Sequence, residues 1–197
     1  MVRFAPLLLA AAVIAGPAAA QQQSQSYKFL EAVRKADGNT VESILGAPGQ
    51  RIIDTRDVTS GEGALHIVVK RGDATYLRYL LVKGADPNLR DSRGNTPMML
   101  AASTGQPALV DLLKAGRADA NAANASGETP LIRAVQLRDL PMVRALLAAG
   151  ANPDQTDNVA GMSARDYAKA DTRSPAILKV IEGTPARPTR GVAGPKF

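Results

Sequence analysis

Gly94-Asn95-Thr96-Pro97-Met98-Met99 is followed, 33 residues on, by Gly127-Glu128-Thr129-Pro130-Leu131-Ile132. In both stretches a threonine precedes a proline and an apolar run. A threonine hydroxyl can accept an orphan N–H of a helix's first turn, and proline is tolerated at the first helical position, where its missing N–H costs nothing. Each stretch therefore starts a helix at a defined residue. Weaker copies stand at Gly61-Glu62-Gly63-Ala64-Leu65-His66, 33 residues before Gly94, and at Gly161-Met162-Ser163-Ala164-Arg165-Asp166, 34 after Gly127. A constant period of this size predicts stacked supersecondary units.

Outward from these starts, other devices keep the same phase. Gly72 and Gly105 permit a tight reversal into a second helix, where Leu77, Leu80 and Leu81, or Val143, Leu146 and Leu147, recur at helical spacing. Gly84, Gly116 and Gly150 suit the left-handed residue that closes that helix, and Asp86-Pro87-Asn88 or Asn152-Pro153-Asp154 then turns the chain outward. The pattern resembles the ankyrin repeat and covers residues 27–182. The fold it implies is an all-α solenoid of about five helix-turn-helix repeats joined by hairpin loops. The first (residues 27–45) and last (161–182) are atypical, as the ends of a stack must be. Three departures stand out. No repeat keeps the family's full Thr-Pro-Leu-His run, the connection from Gly46 to Gly61 is long, and the third repeat is irregular near Gln106-Pro107 and Arg117.

The amino terminus is of a different kind. Met1-Val2-Arg3, an apolar run from Phe4 to Ala15, then Gly16-Pro17-Ala18-Ala19-Ala20 form the pattern of a signal peptide cleaved after Ala20. The apolar run is too short to span a bilayer. Residues 21–26 are expected as a disordered linker and 183–197 as a disordered basic tail. These features predict export, to the periplasm of a bacterium or outside a host that lacks one.

The chain of 197 residues has 24 Lys+Arg against 18 Asp+Glu, one histidine and no cysteine, with 4% aromatic residues. Without cysteine there is no thiol catalysis, disulfide or Cys-ligated metal. The lone His66 has no evident catalytic partner, and the resemblance implies a structural role, hydrogen-bonding backbone between repeats. Ser60 lies outside any Gly-x-Ser-x-Gly elbow, and Asp54-Thr55-Arg56-Asp57 lacks the glycine and distal glutamate of a calcium loop. No phosphate loop or dinucleotide fingerprint is present. No metal or cofactor is expected, and the protein is read as a non-enzyme. Tyr76, Tyr79 and Leu80 share a helical face and read as core rather than as a base-stacking platform, so no nucleic acid is expected. Arg187, Arg190 and Lys196 in the tail allow at most weak contact with an anionic membrane.

The resemblance implies a protein-binding scaffold, here a monomer, using its concave groove and hairpin tips. The ends of the inner helices carry Arg34-Lys35 and Lys70-Arg71 in the first two repeats, then Ser103-Thr104 and Gln136-Leu137. With Arg90 and Arg93 in the next hairpin, these cations form the candidate site for an acidic partner. The alternatives are a small-ligand protein or enzyme using His66, and a membrane- or polyanion-associated accessory protein.

Overall fold

The computed structural model describes residues 17–47 and 52–185. They form ten helices in five antiparallel pairs: α1 (Pro17–Arg34) with α2 (Gly38–Leu45), α3 (Ala64–Arg71) with α4 (Ala74–Val82), α5 (Pro97–Ser103) with α6 (Ala108–Ala115), α7 (Pro130–Gln136) with α8 (Leu140–Ala149), and α9 (Ala164–Ala170) with α10 (Pro175–Glu182). The odd-numbered helices stack on one another as an inner layer, and α4, α6, α8 and α10 stack as an outer one. The expected solenoid of five repeats is the fold. Helix α1 begins before residue 27, so the stretch 21–26, expected as a linker, is helical, as its run of alanine and glutamine favours. Most of the expected signal segment and all but the first residues of the tail lie outside the described residues.

The helix starts follow from the quoted residues. Thr96 and Thr129 accept the N–H groups of Met99 and Ile132, with Pro97 and Pro130 in the first turn. Ser163 and Asp166 cap α9 reciprocally. The outer helices start on Asp37, Asp73 and Asp139, each accepting an N–H of its first turn, whereas α6 starts on Pro107 with no side-chain cap. That is the irregularity anticipated in the third repeat. Each such cap is worth about 1 kcal/mol. Ala101, Ala102 and Ala134 are fully buried between inner helices, where their small size lets neighbouring repeats approach. Ile52, in the long first connection, is buried in the core beside Val41 and Leu65.

Two expectations about chain reversal need correction. Gly116 is not left-handed, with φ −77°. Arg117, at φ 70°, takes that conformation instead. A Cβ at Gly116 would lie 2.8 Å from Leu81 Cδ2 of α4, a side-chain end that would have to shift to admit it. At the inner-to-outer reversal, Gly72 and Gly105 have the positive φ expected, but Ala36 and Arg138 hold the same conformation in repeats one and four.

The hairpin loops are joined by one main-chain hydrogen bond per step: Ser92 N–H to Ser60 C=O, Ala125 N–H to Arg93 C=O, and Asn158 N–H to Ser126 C=O. The glycines beside this ladder leave no room for a side chain. A Cβ on Gly61, Gly94 or Gly127 would lie 2.5, 2.8 or 2.6 Å from the next loop's backbone nitrogen, whereas one on Gly161, past the last rung, meets nothing within 4 Å. A second row runs along the base of the loops, where Asp54, Asn88 and Asn121 accept the N–H of Asp86, Asp119 and Asn152 in the following repeat. The corresponding Asp154 instead binds Arg165, whose guanidinium also donates to the carbonyls of Ile181 and Thr184 and ties the start of the tail to the last repeat.

Candidate functional site

His66 is fully buried in the first turn of α3, three residues after Gly63 at the helix start. Its Nδ1 accepts the Gly63 N–H at 3.2 Å, so the proton is on Nε2, which donates to the Asn95 carbonyl of the next repeat at 3.0 Å. Both nitrogens are thus occupied by backbone, one within its repeat and one across the junction. Burial pushes its pKa down, the bond to Asn95 opposing. A neutral imidazole with both nitrogens engaged has no face to offer a substrate proton. The structural role implied by the resemblance is the one the geometry shows.

Neighbouring carboxylates are similarly engaged. Asp57 Oδ1 accepts the N–H groups of Thr59 and Ser60 and closes the first hairpin. The Ser60 N–H, then Arg34, hold its carboxyl well below the usual range. In the second hairpin, burial pushes Asp91 up, but hydrogen bonds from the Asn95 side chain and the Asn95 and Arg93 amides outweigh it and keep the carboxylate charged. Asp54 serves the base row of the loops. Tyr76 and Tyr79 pack ring against ring at 5.8 Å beside the buried Leu80, as expected of core residues. Their buried hydroxyls have no hydrogen-bond partner among the described residues.

The basic cluster is assembled at the ends of α1 and α3, but not as a free positive patch. Arg34 pairs with Asp57 at 2.7 Å and lies 3.8 Å from Glu31, Lys35 pairs with Glu31 at 3.2 Å, and Lys70 donates to Glu62. Arg71 reaches Asp73 at 3.1 Å, donates to the Val33 and Arg34 carbonyls of repeat one, and lies over the Tyr76 ring. Four cations thus meet four acids, and Arg71 is also a strut between the first two repeats. Arg90 stands apart from them, donating to the carbonyls of Gly94 and Ala123. Arg93 is free of such duty: its side chain is 73% exposed, with buried Asp91 at 4.0 Å.

The sequence reading missed three cations. Arg56 is exposed in the first hairpin beside exposed Val58. Arg138 and Arg173 converge on Asp171 between repeats four and five, through the 33-residue spacing of Arg138 and Asp171. That spacing was the signal that could have found them.

The period, the buried Thr-Pro starts and the junction histidine together define the repeat. A family model described as Ankyrin repeats (3 copies) matches residues 29–124 and, overlapping it, 65–157. The chain belongs to the ankyrin-repeat family. Relatives include a putative ankyrin repeat-containing protein of Treponema pallidum, 34% identical over 158 residues, covering 79% of this chain and 40% of that protein. Ankyrin repeat domain-containing protein 46 of Rattus norvegicus is 52% identical over 42 residues, covering 21% of this chain and 18% of its own. Ankyrin repeat domain-containing protein 63 of Homo sapiens is 37% identical over 89 residues, covering 43% and 23%. The chain thus spans well under two thirds of the length of these relatives. Ankyrin repeats generally serve as protein–protein interaction modules rather than as catalysts. In this ankyrin-repeat chain exposed side chains stand at the loop tips, among them Val58, Arg93 and Val159, and on the outer helix α4 at Val82.

Proposed function

We propose that the protein is an exported, non-catalytic binding module that holds a partner protein across its hairpin tips and concave face. One observation carries this reading: side chains project into solvent from a row of loops whose backbones are fixed to one another. Val58 at the first tip and Val159 at the fourth are 87% and 80% exposed, and Arg93 stands on the second. Exposed apolar side chains on a rigid base with a nearby arginine are the composition of an interface centre. The preference for an acidic partner rests on Arg93, Arg90 and Arg56, since the cations of repeats one and two are already paired. Export, and with it the periplasmic location, rests on the pattern of residues 1–20.

The test is photo-crosslinking in the native host, with the photoreactive residue placed at Val58, Arg93 or Val159, and at the exposed outer-helix residue Val82 as control. One protein captured from the tips and not from Val82 is the expected result. Equal capture from Val82, or none from any tip, refutes the reading.

A further inference from the structure

Arg138 holds the place that Gly72 and Gly105 hold in the two preceding repeats, and like them it has a positive φ, 56° against 74° and 65°. A side chain is strained in that conformation, so the guanidinium is present at a cost to the backbone. Its Nε donates to Asp171 Oδ2 at 2.6 Å, and Arg173 Nε donates to Asp171 Oδ1 at 3.0 Å. One carboxylate therefore carries two guanidiniums, each held through Nε. The Nη groups of both make no hydrogen bond among the described residues. The other acid nearby, Asp139, has Oδ1 committed to the Met142 N–H at the start of α8.

Beside the arginines lies a cavity of about 360 Å³ whose wall is part apolar (Val135, Ala170 and the Tyr167 ring) and part polar (Gln136, Thr172). The Tyr167 hydroxyl is spent on Asp157 at 2.6 Å, so the ring and not the hydroxyl serves the cavity. Half-exposed Leu137 adjoins it in the chain. This contrasts with Arg34, Lys35, Lys70 and Arg71, each of which has an acid of its own. Among the residues lining the cavity, Arg138 and Arg173 outnumber Asp171 by one, and the free Nη edges have the planar donor geometry that matches a carboxylate.

We infer that this pocket between the reversals of repeats four and five takes an acidic side chain, Asp or Glu next to an apolar residue, from an extended segment of the partner protein. The inference rests on the protein-binding reading above. A single surplus positive charge suits a monoanionic carboxylate better than a phosphate dianion. The apolar wall and Leu137 suit a neighbouring aliphatic side chain. Ser103-Thr104, at the end of the third repeat's inner helix, offers the adjoining part of the segment polar, uncharged side chains.

The probe is N-acetyl-Glu-Leu amide, titrated into the full chain and followed by ¹⁵N NMR. Millimolar binding should shift the Nε–H signals of Arg138 and Arg173 and the amides of residues 136–138 and 170–173. N-acetyl-Gln-Leu amide should bind at least about tenfold more weakly, as loss of a charge-assisted contact predicts. Arg138→Gly should weaken the Glu peptide to the same degree while leaving the melting temperature nearly unchanged, because glycine is the residue this backbone favours. Equal binding of the Gln peptide, tighter binding of N-acetyl-Gln-Leu free acid, or no effect of R138G overturns the site. A crosslinked partner that binds R138G with unchanged affinity would likewise remove this pocket and leave the protein-binding reading standing. Loss of tip crosslinks in the wild type would remove that reading itself.

Discussion

Replacing His66 by alanine removes a side chain that is hydrogen-bonded to the main chain of two consecutive repeats. The substitution empties a fully buried site and strands the Gly63 N–H and the Asn95 C=O. Each stranded group costs about 1–3 kcal/mol, and the cavity adds to this. A total of about 3–5 kcal/mol is expected, a large part of the 5–15 kcal/mol that holds a typical domain. Urea unfolding at pH 7.5 measures it, and faster hydrogen exchange at the Gly63 amide locates it. The same histidine sets a pH dependence. Its folded pKa lies below the 6.5 of the free side chain, so the folded state favours the neutral ring. That stability is complete above pH 6.5 and declines as pH falls toward the folded pKa, at up to about 1.4 kcal/mol per unit. Asp57 and Asp171, held below the ordinary carboxylate value of 3.8, lose their contribution only in more acid solution. The decline beginning near pH 6.5 therefore belongs to His66 and should vanish in H66A. A variant as stable as wild type at pH 7.5, or a wild-type stability flat from pH 7 to 5, would refute this account of the junction.

Four further outcomes are expected. Arg117→Gly should raise stability by about 0.5–1 kcal/mol in thermal or urea unfolding, since a left-handed residue loses its strained side chain. Gly84→Val, at φ 91°, should lower it by more than 1 kcal/mol although space is open there. Gly94→Ala should destabilise more than Gly161→Ala, because only the former drives a Cβ into the next loop; equal losses in differential scanning calorimetry would mean the ladder contributes nothing. Intact-mass measurement on protein from the native host should give a chain beginning at Gln21, and a soluble exported form retaining residues 1–20 would overturn the signal-peptide reading.

The repeat was legible because its devices are local. Thr96-Pro97 and Thr129-Pro130 fix helix starts within four residues, and Gly72 and Gly105 fix reversals one residue at a time. Arg138, Ala36 and Arg117 were not read as left-handed because the steric rule points to glycine, and surrounding structure overrides it at a modest cost. The candidate site was legible only as a set of charges. Lys70 finds Glu62 eight residues away and Arg34 finds Asp57 twenty-three away, pairings that residue spacing does not announce, whereas Glu31 and Asp73 stand within four residues of Lys35 and Arg71. Arg71 shows the same limit. It was expected as part of a site for an acidic partner, yet it is bonded to the carbonyls of repeat one. Reversing its charge would therefore disturb the fold as well as any partner.

The loop ladder is written entirely in main-chain atoms, from Ser60 C=O to Asn158 N–H. Its rungs constrain the glycines beside them but not the side chains at the tips. Val58, Ser92, Ala125 and Val159 can then be rewritten, one finger at a time, without altering the spacing of the fingers. Stability and recognition are thus spelled in separate alphabets, and selection for a new partner can edit the second while the first is left as it stands.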